Sequence, residues 1–214
     1  MKYEISTRIT FPQEISKVLK LEKDRFVAEY GSSYKSEPHI TLYLDRYTQE
    51  GFSQLLHGLR ELRVKPFAIS LLEPKVRLEE DRHRNLYIMD ISNKEQLRQL
   101  HDKVSEIAIP YRSPFLREKT WQRLEHQGIH TDGTRESLRA HEGAEIIEIF
   151  NPHITLGEID FDRPQAEIAD VRKNLKSIKG REIVISSIVV FLYGKKSGAE
   201  KAELIDEVTI PLRS

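Results

Sequence analysis

Cysteine does not occur anywhere in this chain. Its absence excludes a disulfide framework, thiol catalysis and cysteine-ligated zinc or iron-sulfur sites, and it agrees with the cytoplasmic location expected here. Long apolar runs are missing as well. No stretch approaches the ~18 apolar residues of a membrane span, and MKYEISTRIT lacks the apolar centre of a secretory signal, so no membrane association is expected. Nor is there an excess of either charge. The 34 Lys and Arg residues balance 34 Asp and Glu, which removes the global field that gathers long nucleic acids without regard to sequence. A small or locally held anion is still allowed. What is present, 38% hydrophobic and 32% charged residues in 214, describes an ordinary globular protein able to bury a core as one large domain or two small lobes.

The informative feature is a repetition. PHITL stands at residues 38 to 42 and again at 152 to 156, and similar elements surround both copies, as a duplicated structural unit requires. After His39, Phe52, Leu55, Leu56, Leu59 and Leu62 recur at helical spacing, predicting a helix within Tyr47 to Arg63. After His153, Ile168, Val171, Leu175 and Ile178 predict another within Arg163 to Ile178. Each then meets a β-prone stretch, KPFAISLL or REIVISSIVVFLY. Upstream, KYEISTRI and NLYIMDI alternate as strands, and each leads into a helical pattern, the first through Ile15, Val18, Leu19 and Phe26, the second through Leu97, Leu100, Val104 and Ile107. Aligning Tyr3 with Tyr87 leaves about 30 extra residues in the second half. They fall in a helical insertion at about 110 to 146, with Ser113 and Pro114 as a start signal and Gly128 as a stop. The whole of 1 to 214 reads as a single bilobal domain carrying this insertion.

Side chains on a strand alternate between faces. His39 and Thr41 therefore share one face while Ile40 and Leu42 anchor the other, and His153 and Thr155 are related in the same way to Ile154 and Leu156. Lobes related by a pseudo-two-fold axis can bring those polar faces together across a groove. Two imidazoles and two hydroxyls around one cavity suit a phosphodiester. One neutral imidazole takes a proton from attacking water, one imidazolium gives a proton to the departing oxygen, and the hydroxyls bind the non-bridging oxygens. This arrangement requires neither metal nor cofactor.

The paired His-x-Thr strands, the duplicated halves and the chain length resemble the two-histidine (2H) phosphoesterase superfamily, which includes the RNA ligase-like cyclic phosphodiesterases. The resemblance spans nearly the whole chain outside the insertion. It implies an α+β fold of two pseudo-symmetric lobes, each a mainly antiparallel sheet with outer helices, and a central groove lined by His39, Thr41, His153 and Thr155. It also implies an enzyme acting on 2′,3′-cyclic phosphates or related nucleotide or RNA-end phosphodiesters. Two alternatives stay open: a 2′-5′ oligonucleotide phosphodiesterase, and a non-catalytic nucleotide-binding or scaffolding module. The expected partner is a nucleotide or short RNA, and a monomer is expected.

Several other residues compete for attention. His126 and His130 are four apart and His141 follows, a spacing that can hold a metal on a helix. Gly128 interrupts the pair and the surroundings are polar, so a solvated surface explains them better. His57, His83 and His101 read as surface or core-edge residues. In FLYGKKSG, Tyr193 can stack on a base, with Lys195 and Lys196 near phosphate; a hairpin turn with solubilising lysines accounts for the same letters. Tyr193 is the substrate-binding candidate. Arg112, Arg117, Lys119 and Arg123 form either a basic rim or a solvated helix face, and Glu118 and Glu125 favour the second.

Overall fold

A computed structural model of the chain describes residues 3–112, 150–194 and 203–214. In chain order the elements are β1 (Tyr3–Ile9), α1 (Gln13–Tyr30), β2 (Ile40–Tyr47), α2 (Gln49–Arg60), β3 (Phe67–Glu79), β4 (Arg84–Ile91), α3 (Lys94–Ala108), β5 (Ile154–Asp160), α4 (Ile168–Asn174), β6 (Glu182–Ile185), β7 (Ser187–Gly194) and β8 (Glu203–Pro211). The strands form two antiparallel four-stranded sheets, ordered β2-β1-β7-β8 and β5-β4-β3-β6. The architecture is α+β, as the sequence predicts.

Local chemistry accounts for the element boundaries. Helix α1 buries Ile15, Leu19 and Phe26 along one stripe and stops at Gly31, whose φ of 68° is left-handed and whose N–H returns to the Phe26 carbonyl. Tyr47 ends β2 instead of opening a helix, because the Thr48 hydroxyl accepts from Gly51 N–H at 3.1 Å and caps α2 there. Helix α4 is shorter than the predicted span. Pro164 has no donor, and the Gln165 side chain bonds the Asp160 and Arg163 carbonyls, holding the chain in a turn before Ile168. Beyond Asn174 the apolar positions Leu175 and Ile178 stay buried through short turn bonds rather than an α-helix. REIVISSIVVFLY divides into β6 and β7 at Ser186. The proposed insertion is described only at its first residues: Ile109–Tyr111 make a 3-10 turn and Arg112 bridges to Tyr47. Ser113, Pro114, Gly128 and the remainder lie outside the described residues.

The duplication is visible in the pairing itself. Between β1 and β2, Arg8 pairs with Thr41 and Thr7 with Tyr43, so the register skips Leu42; between β4 and β5, Ile88 pairs with Thr155 and Tyr87 with Gly157, skipping Leu156. The same bulge thus recurs at the same place in each motif strand. This makes Thr7 the equivalent of Tyr87, so the sequence alignment of Tyr3 with Tyr87 is out of register: alternating patterns match at any even offset, and pairing removes the ambiguity. Strand β3 pairs with β6 in a register, Phe67 with Ile185 through Ser70 with Glu182, that maps onto itself when the halves are exchanged.

The halves interlock. Helix α1, which follows a strand of the first sheet, packs on β5 of the second; α3, which follows a strand of the second, packs on β2 of the first. Gly157 on β5 is required by this crossing, since a Cβ there would meet the Phe26 side chain at 2.4 to 2.7 Å. One apolar cluster runs through both halves, including Ile5, Tyr43, Leu59, Tyr87, Val104, Ile154 and Val190. No described helix is long and apolar enough to cross a membrane.

Candidate functional site

Both copies of PHITL build the same local device. Proline fixes its own φ and keeps the preceding residue extended, and the imidazole that follows turns back onto that preceding carbonyl. His39 Nδ1 donates to Glu37 O at 2.7 Å, and His153 Nδ1 donates to Asn151 O at 2.7 Å. A carbonyl only accepts, so Nδ1 carries the proton on both rings and Nε2 is the nitrogen that is unprotonated in the neutral form. Ile40, Leu42, Ile154 and Leu156 are fully buried, while Thr41 and Thr155 are half-buried on the opposite face. That is the alternation read from the sequence.

The structure brings the two histidines into one electrostatic neighbourhood. His39 is 7% exposed, and its pKa is pushed down to about 3, first by burial, then by Arg8, with Lys23 and His153 adding to the effect. His153 is half-buried, so the two rings sit in unequal surroundings. Tyr34 stacks towards His39 with ring centroids 6.5 Å apart.

Arg8, Lys23 and Tyr34 are residues that the sequence pattern does not single out. Arg8 pairs directly with Thr41 across the sheet, donates from Nε to Ser6 Oγ at 2.7 Å, and lies over the Phe191 and Tyr193 rings at 4.9 and 5.5 Å. Its signal is present in KYEISTRI, where Arg8 alternates with Ile5, Thr7 and Ile9. Lys23 is 3% exposed and donates to the Thr155 carbonyl at 3.0 Å. Its signal is a lysine on the Leu19 to Phe26 stripe.

Tyr193 stands near the end of β7, half-buried, with Phe191 beside it at 6.4 Å and 20° between ring planes. It is four residues along the strand from Val189, which pairs with Arg8 in the same row as Thr41, so it lies roughly 13 Å from that row. The corresponding face of the second sheet carries paired charges. Lys75 joins Asp90, Arg77 joins Glu79 at 2.9 Å, and Arg84 joins Glu79 at 2.8 Å and also Glu158.

The other candidates separate clearly. His57 and His83 are exposed. His101 is neither surface nor core-edge: it is fully buried, its Nδ1 donates to the Leu42 carbonyl, and its ring stacks on Phe150 at 4.0 Å. A helix crossing between halves places it there, which helical spacing alone does not reveal. Arg112 is half-buried beside Tyr43 and Tyr47, not on a rim. His126, His130, His141, Arg117, Lys119, Arg123, Lys195 and Lys196 lie outside the described residues. Among the described residues no group of three or more His, Asp or Glu side chains is arranged to hold a metal.

Two antiparallel sheets with exchanged helices and a histidine-threonine strand in each define a class, and the comparisons agree with it. The model of the 2′-5′ RNA ligase superfamily matches residues 12–194, and the chain belongs to that family, the two-histidine phosphoesterases. Among solved structures, E. coli LigT complexed with phosphate superposes with a TM-score of 0.58 at 12% identity, covering 100% of this chain and 99% of LigT. E. coli LigT complexed with 3′-AMP gives 0.56 at 12%, covering 100% of both chains. A protein of Thermus thermophilus gives 0.55 at 12%, covering 97% of each. No curated protein matches the sequence significantly. At these identities the likeness is one of fold, while family membership supports a phosphodiesterase-type activity in broad terms.

Proposed function

We propose that the protein is a metal-independent phosphodiesterase that hydrolyses a 2′,3′-cyclic phosphate or a related nucleotide or RNA-end phosphodiester. The observation that carries this reading is the matched pair of imidazoles, each with Nδ1 held at 2.7 Å by the carbonyl two residues earlier, which fixes the same tautomer on both motif strands. His39, buried and flanked by Arg8 and Lys23, stays neutral through the physiological range and serves as the base. Its Nε2 takes a proton from water as the water oxygen bonds phosphorus. His153, in the more open setting, gives its Nε2 proton to the departing ribose oxygen as the P–O bond breaks. The product is a ring-opened phosphomonoester. Thr41 and Thr155 donate to the non-bridging oxygens, and Tyr193, with Phe191 beside it, stacks the base.

The length of the aromatic track favours one second reading. Tyr193 is far enough from the Thr41 row to receive a neighbouring nucleotide, as a 2′-5′ oligonucleotide phosphodiesterase would need. Both readings are separated by turnover of purified protein against nucleoside 2′,3′-cyclic phosphates, cyclic-phosphate-ended RNA and 2′-5′ oligonucleotides, recording the position of the product phosphate. Binding without turnover of any of these would leave a nucleotide-binding or scaffolding module.

A further inference from the structure

Lys23 is not needed for the proton transfers above, yet its setting is unusual. It is 3% exposed, its ammonium donates to the Thr155 carbonyl at 3.0 Å, and it lies 3.9 Å from the centre of the Tyr34 ring. Among the described residues no carboxylate forms a salt bridge with it. Lys20, one turn earlier, takes Asp24 at 3.4 Å and Glu37 at 3.2 Å instead. An ammonium has three donors, and among the described residues one carbonyl and one ring face are its partners. A buried cation with so little compensation opposes folding, and methionine would fill the same space without that cost.

The position is equally specific. Lys23 is bonded to the backbone of one motif and is one of the charges acting on the imidazole of the other, while its aromatic partner Tyr34 stacks towards that same imidazole. On the exchanged helix α3 the comparable bond, to the Leu42 carbonyl, is made by His101 with its ring against Phe150. The buried lysine therefore belongs to one side of the site alone.

We propose that Lys23 is a further functional residue of this site, a buried ammonium that receives the negative charge of the substrate's phosphoryl group between the two motifs. The inference rests on reading the site as one for phosphodiesters. Burial, followed by the charge of Lys20, lowers the Lys23 pKa to about 7, with Glu37, Asp24 and Glu158 pulling the other way. In the free protein the group is therefore divided between charged and neutral forms near neutral pH. An arriving anion favours the charged form, so binding draws a proton onto Lys23, and affinity for the anion falls as pH rises above 7.

The test is calorimetric titration of wild-type protein and Lys23→Met with adenosine 3′-monophosphate and with inorganic phosphate. It is run at pH 8 in buffers of different ionisation enthalpy, with thermal unfolding measured alongside. Wild type should take up a large fraction of a proton on binding. Lys23→Met should lose that uptake, bind at least 10-fold more weakly and unfold at a higher temperature. Equal affinity and equal proton uptake in the two proteins would overturn the role of Lys23 and leave the proposed function standing; no binding of either anion by wild type would remove both. The NMR titration of the Lys23 side chain in wild-type protein, with and without adenosine 3′-monophosphate, needs no variant. A midpoint that stays in place when the nucleotide is added contradicts the proposal.

Discussion

At each row where the two sheets share a backbone pairing, their side chains can be compared directly. Arg8 stands where the other sheet has Ile88, Phe191 where it has Arg77, and Tyr193 where it has Glu79. The proline, the histidine with its returned Nδ1 bond, the threonine and the bulge are the same on both sides. Everything around them differs. The first sheet offers aromatic rings and an arginine that has no carboxylate partner among the described residues; the second offers cations already neutralised by Asp90, Glu79 and Glu158. The two motif strands are thus alike while their surroundings are unlike, which is what the proposed mechanism asks of a substrate with a base at one end and an ester at the other.

The largest expected effect comes from the shared part. His39→Ala and His153→Ala should each lower kcat/KM by about 10² to 10⁴ with the fold intact by circular dichroism, because each removes one proton-transfer partner. Loss in one variant alone would mean the duplication is structural on the other side. Next comes the part that is not shared. Tyr193→Ala should raise KM for a nucleotide substrate about 10-fold with little change in kcat, since stacking is worth about 1–3 kcal/mol per base. Glu79→Ala, at the equivalent row, should leave KM within about two-fold; equal effects in steady-state kinetics would erase the distinction between the sheets.

Much of this comparison is legible in the sequence, and the reason is period. The alternation of His39 with Ile40 and of His153 with Ile154 needs only the two-residue repeat of a strand, and Leu97, Leu100 and Val104 need only the helical one. What cannot be read depends on contacts distant in the chain. The exchange of α1 and α3 between sheets puts Lys23 under Thr155 and buries His101 under Leu42. The bulge shifts the correct alignment from Tyr3 to Thr7. Neither leaves a periodic signal.

The exchange itself can be tested through stability. Gly157→Ala forces a methyl group against the Phe26 ring, which is fully buried and has no room to retreat. A loss of about 1–3 kcal/mol in denaturant unfolding is expected, and an unchanged midpoint would place α1 elsewhere.

A smaller effect, in pH, sharpens the inequality of the histidines. The folded-state pKa of His39 lies at about 3, below the ~6.5 of an unfolded histidine. Its contribution to stability is therefore complete above about pH 6.5 and is lost as pH falls towards 3, because the unfolded chain binds the proton first. His39→Phe should flatten that decline in chemical denaturation between pH 6.5 and 4. An identical slope in the variant would show that His39 titrates normally.

The central claim is that His39 and His153 act as one acid-base pair on one phosphodiester, and the most direct measurement is a double-mutant cycle on hydrolysis of a nucleoside 2′,3′-cyclic phosphate. Residues that act as a unit are strongly non-additive. The double variant His39→Ala/His153→Ala should retain nearly the same residual kcat/KM as the worse single variant. Losses that multiply, so that the double variant falls by the product of the two single effects, would show two independent contributions and contradict the paired mechanism.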